Sequence, residues 1–188
     1  HEMRVISGLY KGRQLKPARH LDIRPATDRV KETIFNVLQA RIDFEDIAVL
    51  DLFSGTGSLG IEAASRGAAK VILIDDSEES IELIEENLDI LKCGDVCKAT
   101  ETDALRFIDI TKEKFDLIFA DPPYAYEETR TIPQKVFVKN ILKANGFLII
   151  EHQKKLTFEM SPEFNIIITK EFGNTTVTFF KHNTMEKK

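Results

Sequence analysis

Asp121-Pro122-Pro123-Tyr124 follows the mostly apolar run Phe115 to Ala120, so a buried strand ends in a carboxylate, two ring-fixed residues and a flat aromatic side chain. Pro122 and Pro123 hold their own φ near −65° and bias the preceding residue toward extended geometry, which stiffens the loop. This combination suits a planar amine. An exocyclic base amine is a weak nucleophile because its lone pair is delocalised into the ring, and a catalyst must hold it and draw it toward tetrahedral geometry. Asp121 and the Pro122 carbonyl can accept its two N–H bonds, leaving the lone pair aimed at an electrophile. Tyr124 can stack on the base, a contact worth roughly 1–3 kcal/mol in single-strand binders. The same four residues also fit a strand followed by a Pro-Pro turn and a surface tyrosine.

A second motif weighs against that plainer account. Ile47 to Phe53 reads as a buried strand, and Ser54-Gly55-Thr56-Gly57-Ser58-Leu59-Gly60 carries it into a helical pattern. Gly55 and Gly57 permit a tight turn and close approach of a ligand to the backbone, while Gly60 lets the helix lie close to the sheet. A second strand, Lys70 to Ile74, ends at Asp75, about 20 residues beyond Gly55, where an acid can bind two ribose hydroxyls. NAD and S-adenosylmethionine both satisfy this pattern.

Three features favour the methyl donor. Asp51, just before the glycines, suits an ammonium and a sulfonium better than a pyrophosphate. The third candidate strand, Val96 to Thr100, leads to Asp103-Ala104, within reach of an adenine amine. Asp121 to Tyr124 ends the fourth strand, on the carboxyl edge where open α/β sheets bind ligands.

Taken in order, Asp51-Leu52-Phe53-Ser54-Gly55-Thr56-Gly57, Asp75, Asp103 and Asp121-Pro122-Pro123-Tyr124 resemble the motifs of Rossmann-like S-adenosylmethionine-dependent methyltransferases that act on exocyclic amines. The stretches Met3 to Gly8, Lys11-Gly12-Arg13 and Arg24 to Glu32 resemble the RsmD family, the bacterial 16S rRNA guanine-N2 methyltransferases, and the likeness runs from Met3 to about Phe180. Two positions depart from the family's pattern: Ala26 stands where Thr usually follows Arg-Pro, with Thr27 next, and Asp76 follows Asp75 where a basic residue is more usual. The resemblance implies S-adenosylmethionine held by Asp51, Phe53, Ser54, Gly55, Thr56, Gly57, Gly60, Asp75, Asp76, Asp103, Ala104 and Asp121. It implies RNA contacts from Arg4, Lys11, Arg13, Arg24, Thr27, Arg29 and Tyr124. The implied partner is 16S rRNA in an assembling or assembled small ribosomal subunit. One alternative is a methyltransferase for another base amine, such as adenine N6 in DNA. A more distant one is a non-catalytic RNA-binding assembly factor, against which the full set of site residues counts.

The chain of 188 residues carries a net charge of −5, which at first argues against nucleic acid. The distribution reverses that inference: residues 1–41 hold nine Lys or Arg against four Asp or Glu, and the rest holds 17 against 27. A basic N-terminal segment can approach phosphates while the remainder stays acidic. With 43% hydrophobic residues and no run near the roughly 18 apolar residues of a membrane span, the expectation is a soluble, cytoplasmic monomer. His1-Glu2 reads as an addition ahead of a native Met3, and no signal peptide is expected. Cys93 and Cys97 are expected to be ordinary thiols, and no histidine has metal-ligand spacing. His152 is expected to be structural or exposed.

These motifs need a scaffold of alternating strands and helices. Arg4 to Leu15, broken by Ser7-Gly8 and Lys11-Gly12, reads as a hairpin, and Pro17 to Pro25 as a linker. Thr27 can cap a helix with Val30, Ile34, Val37 and Leu38 on its apolar stripe, leaving Arg24, Arg29 and Lys31 for phosphates. Ser77 can cap another helix, with Ile81, Ile84, Leu88 and Leu91 inward. A further helix is expected from Pro133, with Phe137, Ile141 and Leu142 inward and Gly146 as its stop. Phe147 to Glu151 is then a buried strand, followed by an antiparallel pair, Phe164 to Glu171 and Thr175 to Lys181. The predicted fold is α/β: a Rossmann-like, mostly parallel seven-stranded sheet with helices on both faces, a C-terminal hairpin and an N-terminal hairpin extension. Residues 1–26 form the basic extension and linker, 27–182 the catalytic domain and 183–188 a polar tail.

Overall fold

The computed structural model describes residues 3–18 and 27–183. Arg24, with Pro25 and Ala26, lies outside the described residues, as does the tail from 184 onward. Met3–Arg4 (β1) pairs antiparallel with Gln14–Leu15 (β2), Met3 opposite Leu15. Asp28–Gln39 (α1) starts at Thr27, whose Oγ1 accepts the Val30 N–H at 3.3 Å. Six elements follow in alternation: Ala48–Leu52 (β3), Ser58–Ser65 (α2), Lys70–Asp75 (β4), Glu78–Leu91 (α3), Cys97–Glu101 (β5) and Ala104–Ile110 (α4). Phe115–Ala120 (β6), a 3-10 turn at Glu127–Thr131, Ile132–Val138 (α5), Leu142–Gln153 (β7), Phe164–Phe172 (β8) and Thr175–His182 (β9) complete the chain.

The main sheet has seven strands, the number the sequence predicts, in the order β5-β4-β3-β6-β7-β9-β8. Strands β3 to β7 run parallel, while β9 lies antiparallel to both β7 and β8. The terminal hairpin turns at Gly173, φ +56. It places β9, buried from Thr175 to Phe180, inside the sheet and leaves β8, with its alternating exposure, at the edge.

The sheet separates two apolar layers. Val49, Val71, Leu73, Leu117, Phe119, Phe147 and Ile149 face α1, α2 and α3, whereas Leu50, Leu52, Ile72, Ile74, Ile118 and Ile150 face α4 and α5. Phe35, absent from the predicted α1 stripe, is fully buried there and meets Phe119 with ring centroids 5.7 Å apart. Burying a side chain of this size stabilises the fold by about 1.5–3 kcal/mol. Cys93 and Cys97 are buried free thiols beside a turn. His152 is buried and structural, with Nε2 2.7 Å from Thr178 Oγ1.

Two expectations fail. Helix α5 does not run on to Gly146: it ends at Val138, and Asn140 adopts the left-handed φ of +54, which asparagine tolerates better than most residues. Leu142 therefore opens β7, and Gly146 lies inside that strand, where a Cβ would come within 2.7 Å of the Asp116 carbonyl oxygen. Lys31 is not available to phosphate either. Its Nζ donates to the Arg4 carbonyl at 2.8 Å and to Ser58 Oγ at 3.0 Å, and it lies 3.6 Å from Glu62 Oε1, so the side chain is only 2% exposed.

Candidate active site

The glycine turn joins β3 to α2 at the carboxyl edge of the sheet. Phe53 and Gly55 both have positive φ, +54 and +60, and Gly57 at φ +81 caps α2. A left-handed aromatic residue is strained, and strain of this kind concentrates at ligand sites. The turn is closed by the Ser54 N–H to the Ile74 carbonyl and the Gly57 N–H to the Ser54 carbonyl, each 2.8 Å. A Cβ on Gly60 would meet Leu73 at 2.9 Å and Asp51 Oδ2 at 3.1 Å, so glycine here does set the helix against the sheet.

Asp51 lies behind this turn, 1% exposed. Its Oδ2 accepts from Ser54 Oγ at 2.8 Å and from the Gly60 N–H at 3.0 Å. Burial pushes its pKa up to about 7; the two hydrogen bonds oppose the rise and the Asp75 charge adds to it. Thr56 is also buried. Asp75 ends β4 half-buried, with Oδ2 accepting the Gly55 N–H at 2.9 Å and Oδ1 the Ser77 N–H at 3.0 Å. Burial raises its pKa against those two bonds. Asp76 is exposed beside it. Asp103 is exposed, its Oδ2 capping α4 by accepting the Arg106 N–H at 2.9 Å, and Ala104 is buried.

Strand β6 delivers the second motif to the same edge. Ala120 pairs with Leu52 of β3, and the Asp121 N–H reaches the Leu52 carbonyl at 3.4 Å. Asp121 is half-buried, Pro122 buried and Pro123 exposed. The loop is held by the Tyr126 N–H to the Pro123 carbonyl at 2.9 Å and by Gln153 Nε2 to the Tyr124 carbonyl at 3.2 Å. Tyr124 is 38% exposed, an accessible flat ring at the rim.

Tyr126 belongs to this site although the sequence reading passed over it. Its ring stands edge-on to Phe53 with centroids 4.9 Å apart, bridging the glycine turn and the Asp-Pro-Pro-Tyr loop. Burial, then the nearby Asp103 and Glu128 carboxylates, push its pKa up to about 12. The only sequence signal was a second tyrosine two positions beyond Tyr124.

The basic residues divide into two groups. Arg4 Nε lies 3.4 Å from Asp28 Oδ2, and Arg4 also offers its carbonyl to Lys31, which reaches Ser58 at the start of α2. Arg4, Thr27 and Arg29 therefore stand at the glycine-turn end of the molecule, with the Arg29 guanidinium 5.5 Å from the Phe172 ring centre. Thr27 itself is spent as a helix cap. The hairpin tip docks at the far end of α2, where the Leu9 N–H meets the Ser65 carbonyl at 2.7 Å. That end is about 12 Å away at the 1.5 Å rise of a helix. Lys11 is exposed there, and Arg13 donates to the Ile90 carbonyl near the end of α3. Glu62, fully buried, pins the hairpin by accepting the Ile6 N–H at 2.8 Å and the Ser7 N–H at 3.1 Å.

A parallel sheet with a glycine turn after its first strand, an acid closing its second and Asp-Pro-Pro-Tyr closing its fourth defines a Rossmann-like methyltransferase. The family model described as Conserved hypothetical protein 95 matches residues 3–181, and the chain belongs to that family, the RsmD family. Ribosomal RNA small subunit methyltransferase D of Haemophilus influenzae is 35% identical over 184 residues, covering 96% of this chain and 94% of that protein. The Escherichia coli protein of the same name is 35% identical over 150 residues, covering 80% and 71% of the two chains. The solved structure of yhhF from Escherichia coli superposes with a TM-score of 0.85 at 25% identity, covering 98% of this chain and all of that one. No helix among the described residues is long and apolar enough to cross a membrane.

Proposed function

We propose that this enzyme transfers a methyl group from S-adenosylmethionine to the exocyclic N2 amine of a guanine in 16S rRNA, in the cytoplasm, on an assembling or assembled small ribosomal subunit. Residues 27–182 act as the catalytic body and the preceding segment as its basic extension. The observation that carries the reading is the junction of β3 and β6, where the Asp121 N–H meets the Leu52 carbonyl and brings the glycine turn and the Asp-Pro-Pro-Tyr loop to one edge.

The residues fit the cofactor. Gly55 and Gly57 take the positive φ that the tight turn needs, Asp75 offers a partly exposed carboxylate beside Gly55, and Phe53 with Tyr126 offers an apolar wall next to Asp103. The desolvated Asp51 carboxyl would be relieved by a cation near the turn. When bound, S-adenosylmethionine supplies an electrophilic methyl group on a sulfonium.

A guanine must leave its stack to enter such a site. Tyr124 would stack on the extruded base, and Asp121 with the Pro122 carbonyl would accept hydrogen bonds from the two N2–H groups, which points the lone pair toward the methyl carbon. Methyl transfer would form the N–C bond as the methyl–sulfur bond breaks and leaves a neutral thioether; the alkylated nitrogen is strongly acidic, and Asp121 would take its proton or pass it to water. Arg4 and Arg29 meet flanking phosphates.

The test is transfer from labelled S-adenosylmethionine to RNA and small subunits from cells lacking the activity, with the product nucleoside identified by mass spectrometry. N2-methylguanosine in 16S rRNA is the expected product. Methyl-adenine in its place would overturn the guanine assignment, and cofactor binding without any transfer would overturn the enzyme assignment.

A further inference from the structure

Glu151 and Asp121 each follow the last paired residues of neighbouring strands. Parallel strands β6 and β7 end their pairing at Ala120 and Ile150, so Asp121, the first residue after β6, and Glu151, still within β7, follow that last pair together at the carboxyl edge. Side chains alternate along a strand, and both residues fall on the face that carries Phe119 and Ile149. Glu151 is only 5% exposed, so the site holds a second carboxylate, deeper than the half-buried Asp121. Burial makes such a carboxylate an exacting acceptor, stabilising a donor brought to it and repelling a lone pair.

We infer that Glu151 is a specificity-determining residue of this site, accepting the ring N1–H of guanine while Asp121 holds the neighbouring amine; this rests on the guanine reading above. The chemistry of the two bases gives the selection. In guanine the N2 amine is flanked by N1–H, a donor, whereas in adenine the N6 amine is flanked by N1 as a bare acceptor. A carboxylate beside Asp121 therefore binds the first edge and rejects the second. The proline-stiffened loop fixes the amine, and Glu151, carried on a strand in the middle of the sheet, fixes the rotation of the ring about it.

The test uses 2-aminopurine, which keeps the 2-amine but has no proton on N1, placed at the guanosine that the wild-type enzyme methylates in a short RNA. Wild type should prefer guanosine over 2-aminopurine by about tenfold to a hundredfold in kcat/KM, the usual effect of a hydrogen bond to a charged group. Glu151→Gln, whose amide can donate to a bare N1, should lower guanosine turnover and collapse that preference by about tenfold or more. Its cofactor affinity should stay within about twofold of wild type, since the glycine turn is untouched. If Glu151→Gln does not fold, Glu151→Asp, which withdraws the carboxylate by one methylene, should lower guanosine turnover without moving cofactor affinity. Guanine methylation with an unchanged base preference in a folded variant would overturn the role of Glu151 alone. Methylation of adenine N6 by wild type would overturn the guanine reading and this inference with it.

Discussion

Lys31 and Glu62 lie 3.6 Å apart with side chains 2% and 0% exposed, beneath the N-terminal hairpin. The pair is a structural hub, since Glu62 also accepts from two hairpin N–H groups and from Arg66 Nε, and Lys31 reaches the Arg4 carbonyl. Burial lowers the Lys31 pKa while Glu62 holds it up. Removing Lys31 leaves Glu62 buried with Arg66 as its remaining cation, so the cost should fall below the roughly 3–5 kcal/mol of an unpaired buried charge. Lys31→Met should therefore lose about 1–3 kcal/mol in urea unfolding, and adding Glu62→Gln should cost more, since it unpairs Arg66 and weakens the hold on the Ile6 and Ser7 N–H groups. The salt dependence of RNA binding by folded Lys31→Met should match wild type; a flatter slope would restore Lys31 as a phosphate ligand.

Arg4 and Arg29 stand at the glycine-turn end, whereas Lys11 and Arg13 lie along the hairpin toward the other end of α2. Neutralising a phosphate contact flattens the dependence of log Kobs on log salt by about 0.7–0.9. Arg4→Gln with Arg29→Gln should produce a change of that size per residue. Lys11→Gln with Arg13→Gln should produce a smaller one. No change from the first pair would reduce the basic segment to a solvated face.

Asp121 is the residue expected to hold the attacking amine. Asp121→Ala should lower kcat by about a hundredfold to a thousandfold, the usual effect of removing one preorganised group from a reacting centre. Cofactor affinity, measured by calorimetry, should survive. Turnover at the wild-type level would remove Asp121 from the chemistry.

The fold was legible because strands buried on both faces and glycine or proline punctuation leave strong periodic signals. Ile47 to Phe53, Lys70 to Asp75 and Phe115 to Ala120 all became parallel strands in the predicted places. What failed depended on tertiary context. The end of α5 turned on a left-handed Asn140, which no periodicity announces, and Lys31 looked like a surface cation because its acceptors come from Arg4, Ser58 and Glu62, distant in sequence. Tyr126 and Glu151 were equally silent: each enters the site through a neighbour on another element, Phe53 in one case and the β6–β7 register in the other.

Asp75 has two duties that substitution can separate. Its carboxylate holds the Gly55 and Ser77 N–H groups, and it is the group expected to bind the ribose. Asp75→Ala should weaken S-adenosylmethionine binding by about tenfold to a hundredfold, the range for hydrogen bonds to a charged group, with little change in RNA affinity. Asp75→Asn keeps one acceptor oxygen and should fall between the two. A larger loss for RNA than for cofactor would contradict the ribose assignment.

Asp51 gives the site a pH signature. Its Oδ2 accepts from Ser54 Oγ and the Gly60 N–H. A folded pKa of about 7 against the ordinary 3.8 means that the fold favours the neutral form. That contribution is fully present below about pH 4 and is lost as pH rises through about 7, a swing of roughly 4 kcal/mol if undiluted by relaxation. Unliganded wild type should thus be less stable at pH 8 than at pH 5 on this account, and Asp51→Asn should lack this component of the difference. A cation bound near the turn favours the carboxylate and must expel the proton. Calorimetry of S-adenosylmethionine binding near pH 6.5, in buffers of different ionisation enthalpy, should therefore show release of up to about one proton by wild type and none by Asp51→Asn. Equal heats in all buffers for both proteins would show that Asp51 keeps its protonation state when the cofactor binds, and its role would then be confined to fastening Ser54 and Gly60.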